Sequence, residues 1–163
     1  MHTTRAALVA TIILAATLTA CDSTPQAKTD GTHAKTDSKT PAAAHHYTTG
    51  QDIADDLKAA GLTVTKLREN TDGAYIADVG GTAYDFTVTD KPNQPAPGDA
   101  GINMFPNPEA LKAWIPLSKS FGGVAVTGDT WAVSLPTTSK TARTDSQRLA
   151  PKVAKALDGT VQQ

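Results

Sequence analysis

Two aspartates, Asp78 and Asp85, are the residues of this sequence best placed to do chemistry together. They flank the dipeptide Gly80-Gly81, which is typical of a two-residue β-hairpin turn. In that hairpin the two side chains lie diagonally across one face, roughly 7–8 Å apart. That separation is compatible with the acid and base of an inverting glycosidase. Two solvated acidic residues on the water-facing side of a sheet explain the same pattern, and both interpretations stay open.

Two further groupings are weaker candidates for a reactive or metal-binding site. Ser118 and Lys119 form a Ser-Lys pair, but adjacent residues of a helix do not face each other. His33, His45 and His46 could gather a metal ion, yet no thiol or carboxylate cluster stands beside them to complete a ligand set. We therefore predict no catalytic residue and no metal site.

Acidic and aromatic residues of the C-terminal part have structural explanations. Asp52, Asp55 and Asp56 fall in the first turns of an expected helix, where the helix dipole favours negative charge, with a carboxylate metal site as the alternative. Five aromatic residues could line a ligand pocket, although their spacing favours packing in the core: Tyr75, Tyr84, Trp114, Phe121 and Trp131.

Sequence motifs with a known catalytic or cofactor-binding mechanism are absent. The chain has no phosphate-binding loop, no dinucleotide-binding glycine motif, no zinc-protease motif and no nucleophile elbow. No histidine follows Tyr47, which removes the commonest general base from the expected domain. We predict that the protein is not an enzyme and uses no cofactor.

The only cysteine, Cys21, follows the most apolar segment of the chain. Met1 to Arg5 carries positive charge, the segment from Ala6 to Leu18 is almost wholly apolar, and small residues precede Cys21. This is the arrangement of a secretory signal peptide, and the apolar stretch is shorter than the 20 or so residues of a comfortable membrane span. A lone cysteine cannot form an internal disulfide, so the thiol needs another role.

The four residues LTAC, Leu18 to Cys21, resemble the lipobox of bacterial lipoproteins. The resemblance implies cleavage between Ala20 and Cys21 and a diacylglyceryl group on the Cys21 sulfur. It places the protein at the extracytoplasmic face of the cell membrane, held by its lipid anchor. The rest of the chain resembles small uncharacterised lipoproteins of high-GC Gram-positive bacteria in two segments, APGDAGINMFPNPEALKAW and FGGVAVTGDTWAVSL.

Composition divides the chain into three parts: a signal peptide at residues 1–20, a tether at 21–47 and one globular domain at 48–163. Between Asp22 and His46 there is no Val, Ile, Leu, Met or aromatic residue, so little can offset the entropy of ordering this segment. As a flexible coil it would reach on the order of 30 Å. The net charge of -1 and the lack of a basic patch argue against a nucleic-acid partner.

Hydrophobic periodicity predicts an α+β domain, an antiparallel sheet of about five or six strands with about three helices packed on one face. We expect helices at Gln51–Ala60, after Asn107-Pro108, and after a capping box at Thr144. We expect hairpins at Gly80-Gly81 and Gly128-Asp129, the latter with Val126 opposite Trp131. The other sheet face, rich in Ala, Thr and Ser, should meet water.

These features together predict a membrane-anchored lipoprotein that acts as a non-enzymatic binding or accessory module. Its partners would be the membrane, through the diacylglyceryl anchor, and an envelope protein or small ligand. The alternative is a hydrolase of envelope polymers that uses the Asp78 and Asp85 carboxylates.

Overall fold

The structure is a computed structural model that describes residues 45–163. The expected signal peptide, Cys21 and most of the expected tether lie outside the described residues. The helices of the described part are α1 (Gly50–Ala59), α2 (Ala74–Asp78), α3 (Pro108–Ser120) and α4 (Lys140–Leu157). Its strands are β1 (Thr63–Val64), β2 (Arg68–Glu69), β3 (Thr82–Phe86), β4 (Val88–Thr89), β5 (Ala100–Met104), β6 (Val124–Thr127), β7 (Trp131–Leu135) and β8 (Thr160–Gln162).

The strands form a six-stranded sheet in the order β2-β3-β5-β7-β6-β8, and a separate pair, β1 with β4. Every pairing is antiparallel. The predicted α+β class and the antiparallel sheet are therefore confirmed.

The main core lies between one face of the sheet and helices α1 and α4. Alternate residues of the strands point into it, among them Ile102 of β5 and Val133 of β7, both fully buried. Helix α1 supplies Ile53 and Leu57, and α4 supplies a stripe at spacings of four: Leu149, Val153 and Leu157.

A second, smaller core covers part of the opposite face, which we had expected to meet water. It joins Ala83 of β3 and Ala132 of β7 to Ile76 of α2 and Leu111 of α3. Both alanines alternate with main-core residues along their strands, so they point the other way. The helices consequently lie on both faces of the sheet, with α2 and α3 on the Ala-rich face.

The hairpin predicted at Gly80-Gly81 is wrong, because Ala74–Asp78 is a short helix rather than a strand. The amides of Gly80 and Gly81 bond the carbonyls of Ala77 and Ile76, which is how a helix ends. Gly80 is left-handed, with φ of 79°. A left-handed glycine serves a helix end as well as a hairpin turn, and the sequence pattern did not distinguish the two.

The second predicted hairpin exists, but its turn is one residue further along, at Asp129 and Thr130. The Gly128 amide bonds the Trp131 carbonyl, and Val126 lies opposite Val133 rather than Trp131. A shift of the turn by one residue moves the register by two, which keeps every side chain on its predicted face.

Each of the two longer helices contains a proline and continues past it. Helix α3 begins as predicted, and the Asn107 side chain accepts a hydrogen bond from the Ala110 amide. The helix continues past Pro116. Helix α4 begins earlier than predicted, at a Ser139 cap, so Pro151 lies in its interior.

Packing begins ahead of Thr48, where we had placed the domain boundary. The Tyr47 ring is buried and meets the Trp131 ring edge-on at 5.4 Å between centroids. The Trp131 indole nitrogen donates to the His45 carbonyl at 3.2 Å. Residues 45–47 therefore belong to the folded domain rather than to the tether. No helix between residues 45 and 163 has both the length and the apolarity to cross a membrane.

Candidate functional site

The carboxylates of Asp78 and Asp85 are not a cross-strand pair. Asp78 is the exposed last residue of α2, whereas Asp85 lies within β3. The Asp85 carboxylate accepts a hydrogen bond from the Asn70 side-chain amide at 2.9 Å, and Asp85 stands opposite Arg68 in the sheet. The shared hairpin face that suggested a glycosidase pair is therefore absent.

The acidic residues of α1 are each engaged in structural contacts. Asp52 completes a capping box with Thr49, and these hydrogen bonds lower the Asp52 pKa. The Lys58 ammonium donates a hydrogen bond to the Asp55 carboxylate at 2.9 Å and lowers the Asp55 pKa. The Asp56 carboxylate accepts a hydrogen bond from the Tyr47 hydroxyl at 2.7 Å. Their arrangement is that of a capped helix, as the helix-dipole interpretation proposed.

The other sequence candidates are dispersed. Ser118 packs under Gly123 while Lys119 points to solvent. His46 approaches Asp129 at 3.5 Å, and His33 lies outside the described residues. Within residues 45–163, no group of three or more His, Cys, Asp or Glu side chains is arranged to hold a metal ion.

Most of the aromatic residues pack as expected, with one exception. Trp131 is fully buried in the main core, and Trp114 meets Phe105 at 5.7 Å between centroids in the second core. Phe121 is 78% exposed, so the prediction that it packs in a core is wrong.

An apolar hollow between the end of α1 and the last turns of α4 is the best candidate binding site. Its volume is about 370 Å³, and five residues line it: Ala60, Leu62, Lys152, Lys155 and Ala156. Three of these residues come from α4 at spacings of three and four, so they share one helix face. The hollow therefore has an apolar floor and two ammonium groups. We call it the α1–α4 hollow.

The end of α1 shapes this hollow. Gly61 is left-handed, with φ of 85°, and its amide bonds the Lys58 carbonyl. The Leu62 amide bonds the Leu57 carbonyl at 3.1 Å, which completes a Schellman motif. The turn brings Leu62 back against the helix, and only 8% of the Leu62 surface stays exposed.

An ion-pair network borders the α1–α4 hollow and shares Lys152 with it. Asp90, whose side chain is 8% exposed, accepts two hydrogen bonds from Arg148 and one from Lys152. Asp145 pairs with Lys91 at 3.0 Å and with Arg148 at 3.3 Å. Hydrogen bonds from Arg148 and then from Lys152 hold the Asp90 pKa well below its usual value, so the carboxylate stays ionised.

The charges around the hollow do not cancel. Two ammonium groups line the hollow, and of these the one on Lys152 is paired with Asp90. Lys155 makes no ion pair with a carboxylate of residues 45–163. The hollow consequently attracts a negatively charged group at its rim while its floor accepts hydrocarbon.

Two other cavities are less suited to a ligand. One of about 340 Å³ at the β6–β7 turn is lined by polar groups that include Asp129 and Asp158. Another lies between α4 and the Pro-rich loop, residues 90–99, which joins β4 to β5, and it holds only about 60 Å³. The former offers little apolar surface, and the latter is too small for more than a few waters.

Sequence reasoning did not find the α1–α4 hollow. The spacing of Arg148, Lys152 and Lys155 along α4 was visible as one basic stripe. The apolar floor could not be recognised, because it depends on how the end of α1 packs beside α4. No family model, curated protein or solved structure matches this chain.

Proposed function

We propose that this protein is a lipid-anchored binding module at the outer face of the cytoplasmic membrane. In it, the α1–α4 hollow receives a small ligand that combines an acidic group with a short hydrocarbon part. The observation that carries this proposal is the pairing of an apolar floor, Leu62 and Ala156, with the ammonium group of Lys155 at the rim. Buried hydrocarbon would supply affinity, roughly 0.8 kcal/mol for each CH₂, and the ammonium would select the charge.

The anchor is supported by the sequence alone. The Leu18 to Cys21 segment resembles a lipobox, and Cys21 is the sole cysteine. Two acyl chains hold a protein at a bilayer without a membrane-spanning helix. Intact mass of the membrane-bound protein, compared with a Cys21→Ala variant, tests this part. An acylated chain that begins at Cys21 supports it, and an unmodified secreted chain overturns it.

The alternative of an envelope hydrolase has lost its geometric support. Its two proposed carboxylates, Asp78 and Asp85, lie on different elements, and the Asp85 carboxylate bonds Asn70. A binding module remains the function that the described residues favour.

Binding is tested on the chain from residue 21 onward, carrying Cys21→Ser, by following backbone amide resonances during titration. Octanoate is the probe, and octyltrimethylammonium has the same hydrocarbon chain with the opposite charge. We expect octanoate to shift the amides of Leu62, Lys155 and Ala156 in a saturable manner, and the cation to shift them far less. Equal responses to both probes, or no saturable response to octanoate, would contradict the proposed site.

A matched pair of variants separates the rim charge from general electrostatics. Lys155→Gln removes the ammonium at the hollow, and Lys66→Gln removes an exposed ammonium that does not line it. Octanoate affinity should fall several-fold in Lys155→Gln, because one close charge contact is lost, and stay unchanged in Lys66→Gln.

A further inference from the structure

Lys152 belongs both to the α1–α4 hollow and to the ion-pair network beside it. The residue lines the hollow, while its ammonium donates a hydrogen bond to the Asp90 carboxylate. Lys155 also lines the hollow, and it makes no ion pair with a carboxylate of residues 45–163. Residues three apart on a helix are neighbours, with Cβ atoms about 5–6 Å apart, so both lysines can reach one anionic group. In the structure, only one of the two ammonium groups is directed to that task.

Asp90 is the fixed member of its pair with Lys152. The Asp90 side chain is 8% exposed and directly follows β4, whose buried Thr89 pairs with Thr63 of β1. Arg148 binds both carboxylate oxygens of Asp90 and so holds this group in one orientation. The Lys152 side chain, in contrast, is 56% exposed and has a flexible stem. The position of the Lys152 ammonium therefore depends on Asp90, rather than the reverse.

This ion pair limits the positive charge that the hollow offers to a ligand. A carboxylate brings one negative charge, whereas a phosphate monoester brings nearly two above about pH 7. With Lys152 paired, the ammonium of Lys155 matches the single charge of a carboxylate. The second charge of a phosphate would find no free ammonium there and would be repelled by the neighbouring Asp90 carboxylate. An unmatched charge of this kind is how a binding site discriminates against a competing ligand.

We propose that Asp90 holds the Lys152 ammonium away from the α1–α4 hollow and so makes this site selective for monoanionic ligands, such as an alkyl carboxylate, over dianionic ones, such as an alkyl phosphate. The inference rests on the proposed function, because it concerns the ligand of that same hollow. Asp90 acts through Lys152, so it is a positioning residue. Removing the Asp90 charge should release a second ammonium to the hollow and turn the preference of the site toward dianions.

The test compares octanoate with octyl phosphate at about pH 8, where the phosphate carries nearly two negative charges. Dissociation constants come from amide titrations of the chain from residue 21 onward, carrying Cys21→Ser. Without further changes, this chain should bind octanoate at least as tightly as octyl phosphate. In Asp90→Asn, the affinity for octyl phosphate relative to octanoate should rise about three-fold or more, the effect of one added charge contact. An unchanged ratio, or a several-fold preference for phosphate before the substitution, would overturn the proposal.

Two further variants separate the role of Lys152 from the overall charge. Asp145→Asn removes one negative charge from the same network, but Asp145 pairs with Lys91 and Arg148 rather than with Lys152. Its ratio of the two affinities should match that of the unsubstituted chain. In Asp90→Asn/Lys152→Gln the gain should disappear, because no second ammonium remains. An equal gain in Asp145→Asn, or a gain that persists without Lys152, would assign the effect to general electrostatics and overturn the proposal.

A second measurement does not depend on how well Asp90→Asn folds. In the chain with Asp90 intact, the Cε–Hε resonances of Lys155 should shift saturably as octanoate is added. Those of Lys152 should shift much less, because its ammonium stays on Asp90, and equal or larger shifts at Lys152 would overturn the proposal. Failure of the proposed function has a different signature: octanoate would produce no saturable shift in this chain, and the selectivity inference would then be wrong with it.

Discussion

Arg148 binds both carboxylate oxygens of Asp90, at 2.6 and 2.8 Å, across 58 positions of sequence. Asp90 is 8% exposed and follows strand β4, while Arg148 lies on the exposed side of α4. Bidentate geometry makes this the strongest kind of Arg–carboxylate contact. It fastens the start of the Pro-rich loop to the helix that also forms the α1–α4 hollow.

Asp90→Asn should therefore destabilise the protein by about 1–2 kcal/mol near neutral pH, between the values typical of exposed and buried ion pairs. The folded-state pKa of Asp90 lies below its ordinary value of 3.8. Ionised Asp90 thus stabilises the fold above that pH, and the contribution is lost as the pH falls further. Urea unfolding at several pH values should show the difference from wild type shrinking in acid.

Asp99→Asn is the control for this effect. Asp99 faces Arg68 at 3.9 Å, and both side chains are at least 70% exposed. The unfolding midpoint of Asp99→Asn should match that of the wild type near neutral pH, because an exposed ion pair contributes little stability. A comparable loss of stability in both variants would show that the Asp90 contact has no special role.

Gly128→Ala should destabilise the protein by about 1–3 kcal/mol, the usual cost of overpacking. An added Cβ would lie 2.2 Å from the indole Cε2 and Nε1 of Trp131, which is fully buried and cannot move aside freely. Thermal unfolding measures the effect. Gly73→Ala, where the nearest atom is 3.5 Å away, should be neutral, and a similar loss there would contradict the steric explanation.

Tyr47→Phe should cost about 1 kcal/mol, because it removes the hydrogen bond to Asp56. Burial, followed by that hydrogen bond, raises the Tyr47 pKa well above its usual value of 10. Protonated Tyr47 thus contributes stability that is present below pH 10 and lost as the pH rises further. The test follows phenolate absorbance and unfolding together as the pH is raised, and Tyr47 should ionise only when the protein unfolds.

Tyr75→Phe is the control for the loss of the Tyr47 hydroxyl. Tyr75 is only partly buried and lies beside the second core, and we expect this variant to leave the free energy of unfolding unchanged. If Tyr47 ionised before unfolding, its burial in the core would be contradicted.

Pro151→Ala should stabilise the protein by about 1–2 kcal/mol. Pro151 is exposed within α4, where it has no amide to donate to the preceding turn. Alanine restores that hydrogen bond, although part of the gain is offset by the greater freedom of the unfolded chain. Thr141→Ala, in the first turn of α4, changes helix propensity alone and should raise the free energy of unfolding by only about a few tenths of a kcal/mol. Thermal unfolding that fails to separate the two variants would contradict this account.

Local signals predicted the ends of α1 and the start of α3. The expected helix Gln51–Ala60 is displaced by one residue from α1, and α3 starts after Asn107, because the caps at Thr49, Gly61 and Asn107 depend on a few neighbouring residues. Strand faces were also correct for β6 and β7, since alternation survives a shift of two residues.

Features that depend on distant packing were not predictable. Ala74–Asp78 forms a helix whose one buried residue, Ile76, joins Ala83 and Leu111 in the second core, and this packing is not visible in the local sequence. A Cβ at Gly81 would lie 2.3 Å from the Met104 carbonyl oxygen, a close approach visible only in the fold. The α1–α4 hollow and the exposure of Phe121 likewise arise from how helices meet their neighbours.

The contacts of His45 and Tyr47 determine how the domain would respond to mechanical force. Tension applied through the chain ahead of His45 acts first on the Trp131 hydrogen bond and on the buried Tyr47 ring. Trp131 belongs to β7, an interior strand held on both sides by β5 and β6. Both contacts must break before the tension reaches α1, so residues 45–47 keep the load off the first helix until the Tyr47 ring leaves the core.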